Sequence, residues 1–145
     1  MIAYYLCNNK FIEPKFRSIK NNIGVTGVVE SSKADLFFKS RNNNIVANIE
    51  TSIIKKLNNI IEIKGTKGSI LVEHPWFPQS NSKIYIKTKE GTKILKNSKN
   101  NINIYSNQIT YASTCLLNNL KEALFPATNI DDILLNAKCL DKWSK

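Results

Sequence analysis

"IEIKGTKGSILVEHPW", residues 61–76, decides how the chain is read. It holds a strand-like run, a Gly-Thr-Lys-Gly turn, a second strand-like run, and the only histidine, His74, beside Pro75 and Trp76. A phosphate-cradling loop needs its glycine-rich turn between a strand and a helix, with a Lys-Ser or Lys-Thr pair aimed at phosphate and Mg²⁺. "GTKGSI" is too short for that and runs into another strand. The stretch is therefore a hairpin corner, with Gly65 and Gly68 at positions where a tight turn needs positive φ or close backbone approach.

The same grammar extends outward. "ADLFFKS" (34–40) and "IVANIETSI" (45–53), joined by the Asn-rich "RNNN", read as a hairpin. Ile45, Ala47, Ile49 and Thr51 alternate with Val46, Asn48, Glu50 and Ser52, so one strand face is apolar and the other mixed. "NIIEIKG" (59–65) pairs with "SILVEH" (69–74), and "KIYIKTK" (83–89) with "TKILKN" (92–97) around Glu90-Gly91. Connections this short join antiparallel strands, since parallel ones need crossovers of about a dozen residues or more.

Beyond residue 105 the period changes. In 107–124, Ile109, Ala112, Ser113, Leu116, Leu117, Leu120 and Leu124 recur at i, i+3, i+4 spacing, which predicts a helix able to cover the sheet, ended near Pro126. A second helix is predicted over 129–143, with Thr128 and Asp131 in a capping-box-like arrangement and Asp131-Asp132 suiting the helix dipole. Ile130, Ile133, Leu134, Ala137 and Leu140 form its apolar stripe. The expected fold is α+β: one domain, 1–145, with an open, mainly antiparallel β-sheet and helices packed on one face.

The formal charge of +10 points towards nucleic acid or an anionic surface. Yet 20 Asn, 20 Ile and 19 Lys stand against 2 Arg, and these three types share A/T-rich codons, so a biased genome could place lysine wherever a solvated surface tolerates it. The lysines are scattered and not interleaved with aromatics as a stacking platform requires, so no nucleic-acid partner is expected. Cys7, Cys115 and Cys139 are odd in number and widely spaced, which suits free thiols in a reducing cytoplasm better than zinc or disulfides. No apolar run reaches the ~18 residues of a membrane span, and "MIAYYLCNNK" lacks the parts of a signal peptide. A cytoplasmic protein with no membrane partner is expected.

His74 has the chemistry of a general acid or base, but such a residue needs an orienting partner. Glu73, adjacent in a strand, should point to the opposite face. His74 is therefore read as structural or substrate-lining, and Trp76 as an aromatic packed at a sheet edge. No catalytic or metal-ligating set is found, and paired carboxylates occur only at Asp131-Asp132.

The order of these segments resembles the C-terminal domain of the Gfo/Idh/MocA oxidoreductases, nearest the sugar, polyol and dihydrodiol dehydrogenase branch. The family's Ile-x-Gly-Thr-x-Gly-x-Ile segment before Pro-Trp or Pro-Phe is matched by Ile63, Gly65, Thr66, Gly68, Ile70, Pro75 and Trp76. Its Tyr-x-x-Glu helix start is met by Tyr105 with Gln108 in place of the acid, and its closing pattern by Asp132, Leu134, Asn136, Leu140, Asp141 and Trp143. The family's Rossmann domain, its Glu-Lys-Pro and the catalytic segment that follows have no match here. "MIAYYLCNN" looks like the end of the next helix.

The resemblance implies a substrate-site and oligomerisation domain of an NAD(P)-dependent enzyme acting on a sugar- or polyol-like substrate, truncated or split and not catalytic alone. It implies substrate contact at His74 and Trp76, no catalytic or cofactor-binding residue in this chain, and NAD or NADP for the complete enzyme. The partner would be a second copy, paired through the sheet face opposite the helices where Val46, Ile60 and Leu71 project, or a separate Rossmann half. The alternative is a non-catalytic module for dimerisation or ligand binding that reuses the fold.

Overall fold

The structure is a computed structural model that describes residues 13–39, 44–96, 103–124 and 127–144. The helix end read over residues 1–9, Cys7, residues 41–43 of the first connection, and Pro126 lie outside the described residues. Among the described residues seven strands and two helices follow one another, and the strands are all antiparallel, as the hairpin reading requires. The expected single sheet is instead two sheets, and the chain divides into two compact units: Met1–Leu57 with Glu122–Lys145, and Asn58–Lys121.

In the first unit β1 (Lys15–Ile23), β2 (Val29–Lys39) and β3 (Asn44–Ser52) form a sheet in the order β1-β2-β3. Direct partners across a ladder share a face. One face thus collects Phe16, Ile19, Ala34, Leu36, Phe38, Ile45, Ala47 and Ile49, with Ala34 (2% exposed) and Leu36 (9%) as its buried centre. Asn21 and Ser32 also lie on this face. The Ser32 hydroxyl donates to Asn21 Oδ1 (2.5 Å), and Asn21 Nδ2 donates to the Trp143 carbonyl (3.3 Å), which ties α2 (Ile130–Trp143) to β1. Lys142 adds an ion pair with Glu13, which holds the Glu13 carboxyl below its usual range.

The opposite face is mixed, with Phe37 and Val46 beside its polar residues. Ser18 and Asn48 both donate to the Asp35 carboxylate, at 2.6 Å each, linking all three strands. These two hydrogen bonds, Ser18 first, lower the Asp35 pKa. Lys33 pairs with Glu50 at 3.0 Å, and the Arg17 guanidinium stacks 4.1 Å from the Phe37 ring centre. β3 ends where the Ser52 hydroxyl accepts from the amides of Ile54 (3.2 Å) and Lys55 (3.0 Å), a side-chain turn that competes with strand continuation.

The cap of α2 is one residue later than the sequence reading placed it. Asn129, not Thr128, accepts from the Asp132 amide (2.9 Å), and Asp132 Oδ2 accepts from the Asn129 amide (3.1 Å), a reciprocal capping box.

The second unit is a four-stranded meander, β4 (Ile60–Gly65), β5 (Gly68–Glu73), β6 (Lys83–Thr88) and β7 (Gly91–Lys96), in that spatial order. The rows Ile61-Val72-Ile84-Leu95 and Ile63-Ile70-Ile86 make one face apolar, and none of these seven side chains is buried. Lys64, Ser69, Lys87 and Thr92 lie on the other face, beside the row Glu62-Leu71-Tyr85-Ile94. β7 is an edge strand, exposed along its whole length.

α1 (Ile104–Leu117) carries no charged residue. Its stripe does not serve as the expected cover: Ile109, Leu116 and Leu117 are exposed, Leu117 by 84%. The helix also stops short of the expected Leu124. Asn119 takes φ 52°, its amide donates to the Leu116 carbonyl (3.0 Å), and the Leu120 amide reaches back to the Cys115 carbonyl (2.9 Å). That bond pair is the Schellman termination, with Asn in the left-handed position that glycine usually fills.

Candidate functional site at the end of β5

The β4–β5 hairpin closes at Gly65 opposite Gly68 and leads from strand to strand. Gly68 lies against the β6 backbone: a Cβ there would overlap the Lys87 carbonyl oxygen and sit 3.1 Å from its carbon. This close approach explains the glycine. No helix N-terminus follows the turn, so the residues present do not fit the pyrophosphate of NAD or NADP.

At the other end of β5 the ladder to β6 ends at Val72-Ile84. Glu73 takes over the next rung with its side chain, accepting from the Lys83 amide (3.1 Å) and from the Tyr85 hydroxyl (3.2 Å). His74 then leaves the strand. Its amide still donates to the Asn59 carbonyl (2.9 Å), but its φ is 47°, a left-handed conformation uncommon outside glycine. The alternation argument that set Glu73 and His74 on opposite faces ends at this residue, because strand periodicity stops there. Backbone outliers of this kind cost on the order of 1–3 kcal/mol and persist where surrounding bonds over-determine them.

Those bonds are visible in the β5–β6 loop. Ser82, 9% exposed, donates its amide to the Gln79 carbonyl (3.0 Å) and accepts the Gln79 amide on its hydroxyl oxygen (2.8 Å). The same hydroxyl lies 3.3 Å from His74 Nδ1. Asn59 Oδ1, on the segment beside His74, is buried without a hydrogen-bond partner among the described residues. Trp76 is 67% exposed, so it is not the packed edge aromatic expected from the sequence, and Phe77 beside it is similarly open. The corner joins a pinned imidazole, an accessible indole and an unsatisfied amide oxygen within one loop system.

Asp132 serves the capping box, and Tyr105 is exposed near the start of α1. The Trp143 indole N–H is buried without a partner among the described residues. Cys115 and Cys139 are free thiols, and burial, with the Glu13 charge behind it, pushes the Cys139 thiol up. A pocket of about 520 Å³ beside the start of β1 is rimmed by Glu13 and Lys142, which already neutralise each other. Among the described residues no group of three or more His, Cys, Asp or Glu side chains could hold a metal, and no helix is long and apolar enough to cross a membrane. Ser82 was not legible in the sequence. The turn-rich "PQSNS" before Lys83 marked only a loop.

No family model, no curated protein and no solved structure matches the chain. The likeness to the Gfo/Idh/MocA C-terminal domain rests on its motifs.

Proposed function

We propose that the chain supplies the substrate-side wall of an NAD(P)-dependent oxidoreductase acting on a sugar- or polyol-like substrate, with His74 and Trp76 in contact with that substrate. The observation that carries this reading is the corner after β5, where the motif-bearing stretch 61–76 ends in a left-handed His74 followed by an exposed indole. A polyol needs an apolar plane for its C–H face and fixed polar atoms for its hydroxyls, and a Trp-His pair offers both. The hydride chemistry belongs to the cofactor, which another part of the enzyme must hold. This chain's share is to bind and orient the substrate.

The chain has two tryptophans, so Trp143→Phe leaves Trp76 as the sole indole reporter. Titrating that variant with a panel of sugars and polyols should give saturable quenching with a Kd of about 1 mM, a binding energy of roughly 4 kcal/mol. His74→Ala in the same background should weaken it at least about fivefold, the loss of one hydrogen bond. Absence of saturation across the panel would overturn the substrate-wall reading.

A second reading, an association module, is favoured by the apolar face of the β4–β7 sheet, where six Ile and Val side chains are half-buried and Leu95 is exposed; it is the face opposite the Ile60 and Leu71 expected from the sequence to pair subunits, and contiguous apolar surface marks partner sites. A symmetric dimer would cover two copies with one self-complementary patch. Light scattering at about 50 μM, a concentration suited to micromolar affinity, should give a dimer mass. Leu95→Lys, at the 41% exposed edge of that face, should return the chain to monomer. A monomeric mass for the unmodified chain rejects association.

A further inference from the structure

His74 carries one ring proton when neutral, and its placement decides which ligand atoms the ring can recognise. With Nδ1 protonated, Nε2 is an acceptor and binds donors. With Nε2 protonated, it is a donor and binds acceptor oxygens. The hydroxyl of Ser82 settles the choice by accounting. That oxygen already accepts the Gln79 amide, and the hydroxyl's single proton meets no acceptor among the described residues other than His74 Nδ1. Were Nδ1 protonated, the Ser82 hydroxyl would accept twice, and its own proton would be stranded on a side chain that is nearly inaccessible. A buried donor without a partner is the costly arrangement.

We propose that Ser82 is the positioning residue of this site: its hydroxyl donates to Nδ1, fixes the Nε2–H form of the ring, and makes His74 a hydrogen-bond donor for an acceptor oxygen of the ligand. The role of His74 as a ligand contact is taken from the function proposed above, whereas the form of the ring is not. Both partners are held independently. The His74 backbone is bonded to Asn59, and Ser82 is bonded twice to Gln79, so the His74 backbone and the Ser82 hydroxyl are each placed by bonds other than the one between them. The neutral ring then cannot take a proton at Nε2, which excludes the substrate's hydroxyl proton from that nitrogen. Carbonyl, carboxylate or hydroxyl lone pairs are what it binds.

One histidine makes the test direct. The full chain labelled with ¹⁵N-histidine, studied at a pH about 1.5 units above the ordinary imidazole value, gives only two ring nitrogens. The expected spectrum shows Nε2 protonated and Nδ1 shifted as a hydrogen-bonded acceptor. In Ser82→Ala, Nδ1 should move to the position of a free acceptor and the Nδ1–H form should become visible, while Ser82→Thr, which keeps a hydroxyl, restores the native pattern. An Nδ1–H ring in the native chain overturns the proposal, as does an unchanged spectrum in a folded Ser82→Ala. If Ser82→Ala does not fold, the native and threonine spectra still decide. None of these measurements needs a ligand, so failure of the sugar titration and failure of the ring assignment are separate results.

Discussion

Gly68→Ala is expected to destabilise the β4–β7 unit by about 3 kcal/mol, the range of an overpacked site with no room to relax. The added Cβ would overlap the Lys87 carbonyl oxygen and press on the Lys87 carbonyl carbon (3.1 Å) and Thr88 Cα (3.3 Å). All three are backbone atoms, so no side chain can swing aside, and relief means parting β5 from β6. The backbone angle adds to the loss, since φ at Gly68 is 157° and L side chains avoid this region. Amide hydrogen exchange of β5 and β6 should accelerate roughly a hundredfold, the population equivalent of that energy. Gly91→Ala is the control: φ there is 142°, and a Cβ meets nothing within 4 Å. Its loss should stay near 1 kcal/mol, the cost of backbone incompatibility alone. Equal losses at the two positions would show that the close approach at Gly68 is not what demands glycine.

Leu36→Ala is expected to cost the three-stranded unit about 3 kcal/mol, within the 2–5 kcal/mol of large-to-small core changes. Leu36 sits at the centre of β2 between Phe16 on β1 and Ala47 on β3, and is 9% exposed. Ala34, the other buried apolar residue on this face, is too small to fill the void. Domains are stable by only about 5–15 kcal/mol, so this single change removes a large fraction of the total. Trp143, at the end of α2 in the same unit, reports the transition by fluorescence during urea titration. A loss below ~1 kcal/mol, the level of a surface change, would mean that the weight of the core lies elsewhere.

The parts of the fold that were legible in the sequence are those where a single rule operates locally. Alternation from Ile45 to Thr51, and the Gly-Thr-Lys-Gly and Glu-Gly turns, gave three hairpins with their observed strand partners, although the last turn lies at Lys89-Glu90, with Gly91 opening β7, one residue earlier than the sequence placed it. β1 shows no clear alternation in its sequence because its ladder is irregular. The register shifts between Phe16 and Ser18, so Arg17 is an extra residue and the inward-facing Phe16 and Ile19 stand three apart instead of two. A buried polar pair, Asn21 with Ser32, further disguised the inner face of β1 and β2.

The overlong α1 arose from an apolar stripe that continues through Leu120 and Leu124, while Asn118-Asn119, the actual stop, is a weaker punctuation than glycine. The cap of α2 slipped by one because Thr128 and Asn129 are both good caps and each has an Asp three residues on. At the site, sequence marked His74 and Trp76 but could not reveal their surroundings. The left-handed turn at His74 and its bond to Ser82 arise from contacts eight residues apart across a loop, which no local pattern encodes.

The exposed outer strand β7 gives the lysine-rich composition a meaning beyond codon usage. An unpaired strand edge invites another chain to add on, and then another, towards fibrils. Lys93 falls on the apolar face of the sheet and Lys96 on the other, so a copy approaching the edge with either face meets like charge. Such gatekeeping opposes runaway edge-to-edge growth. Lysines at these two positions keep the sheet finite, whatever sets their abundance in the chain.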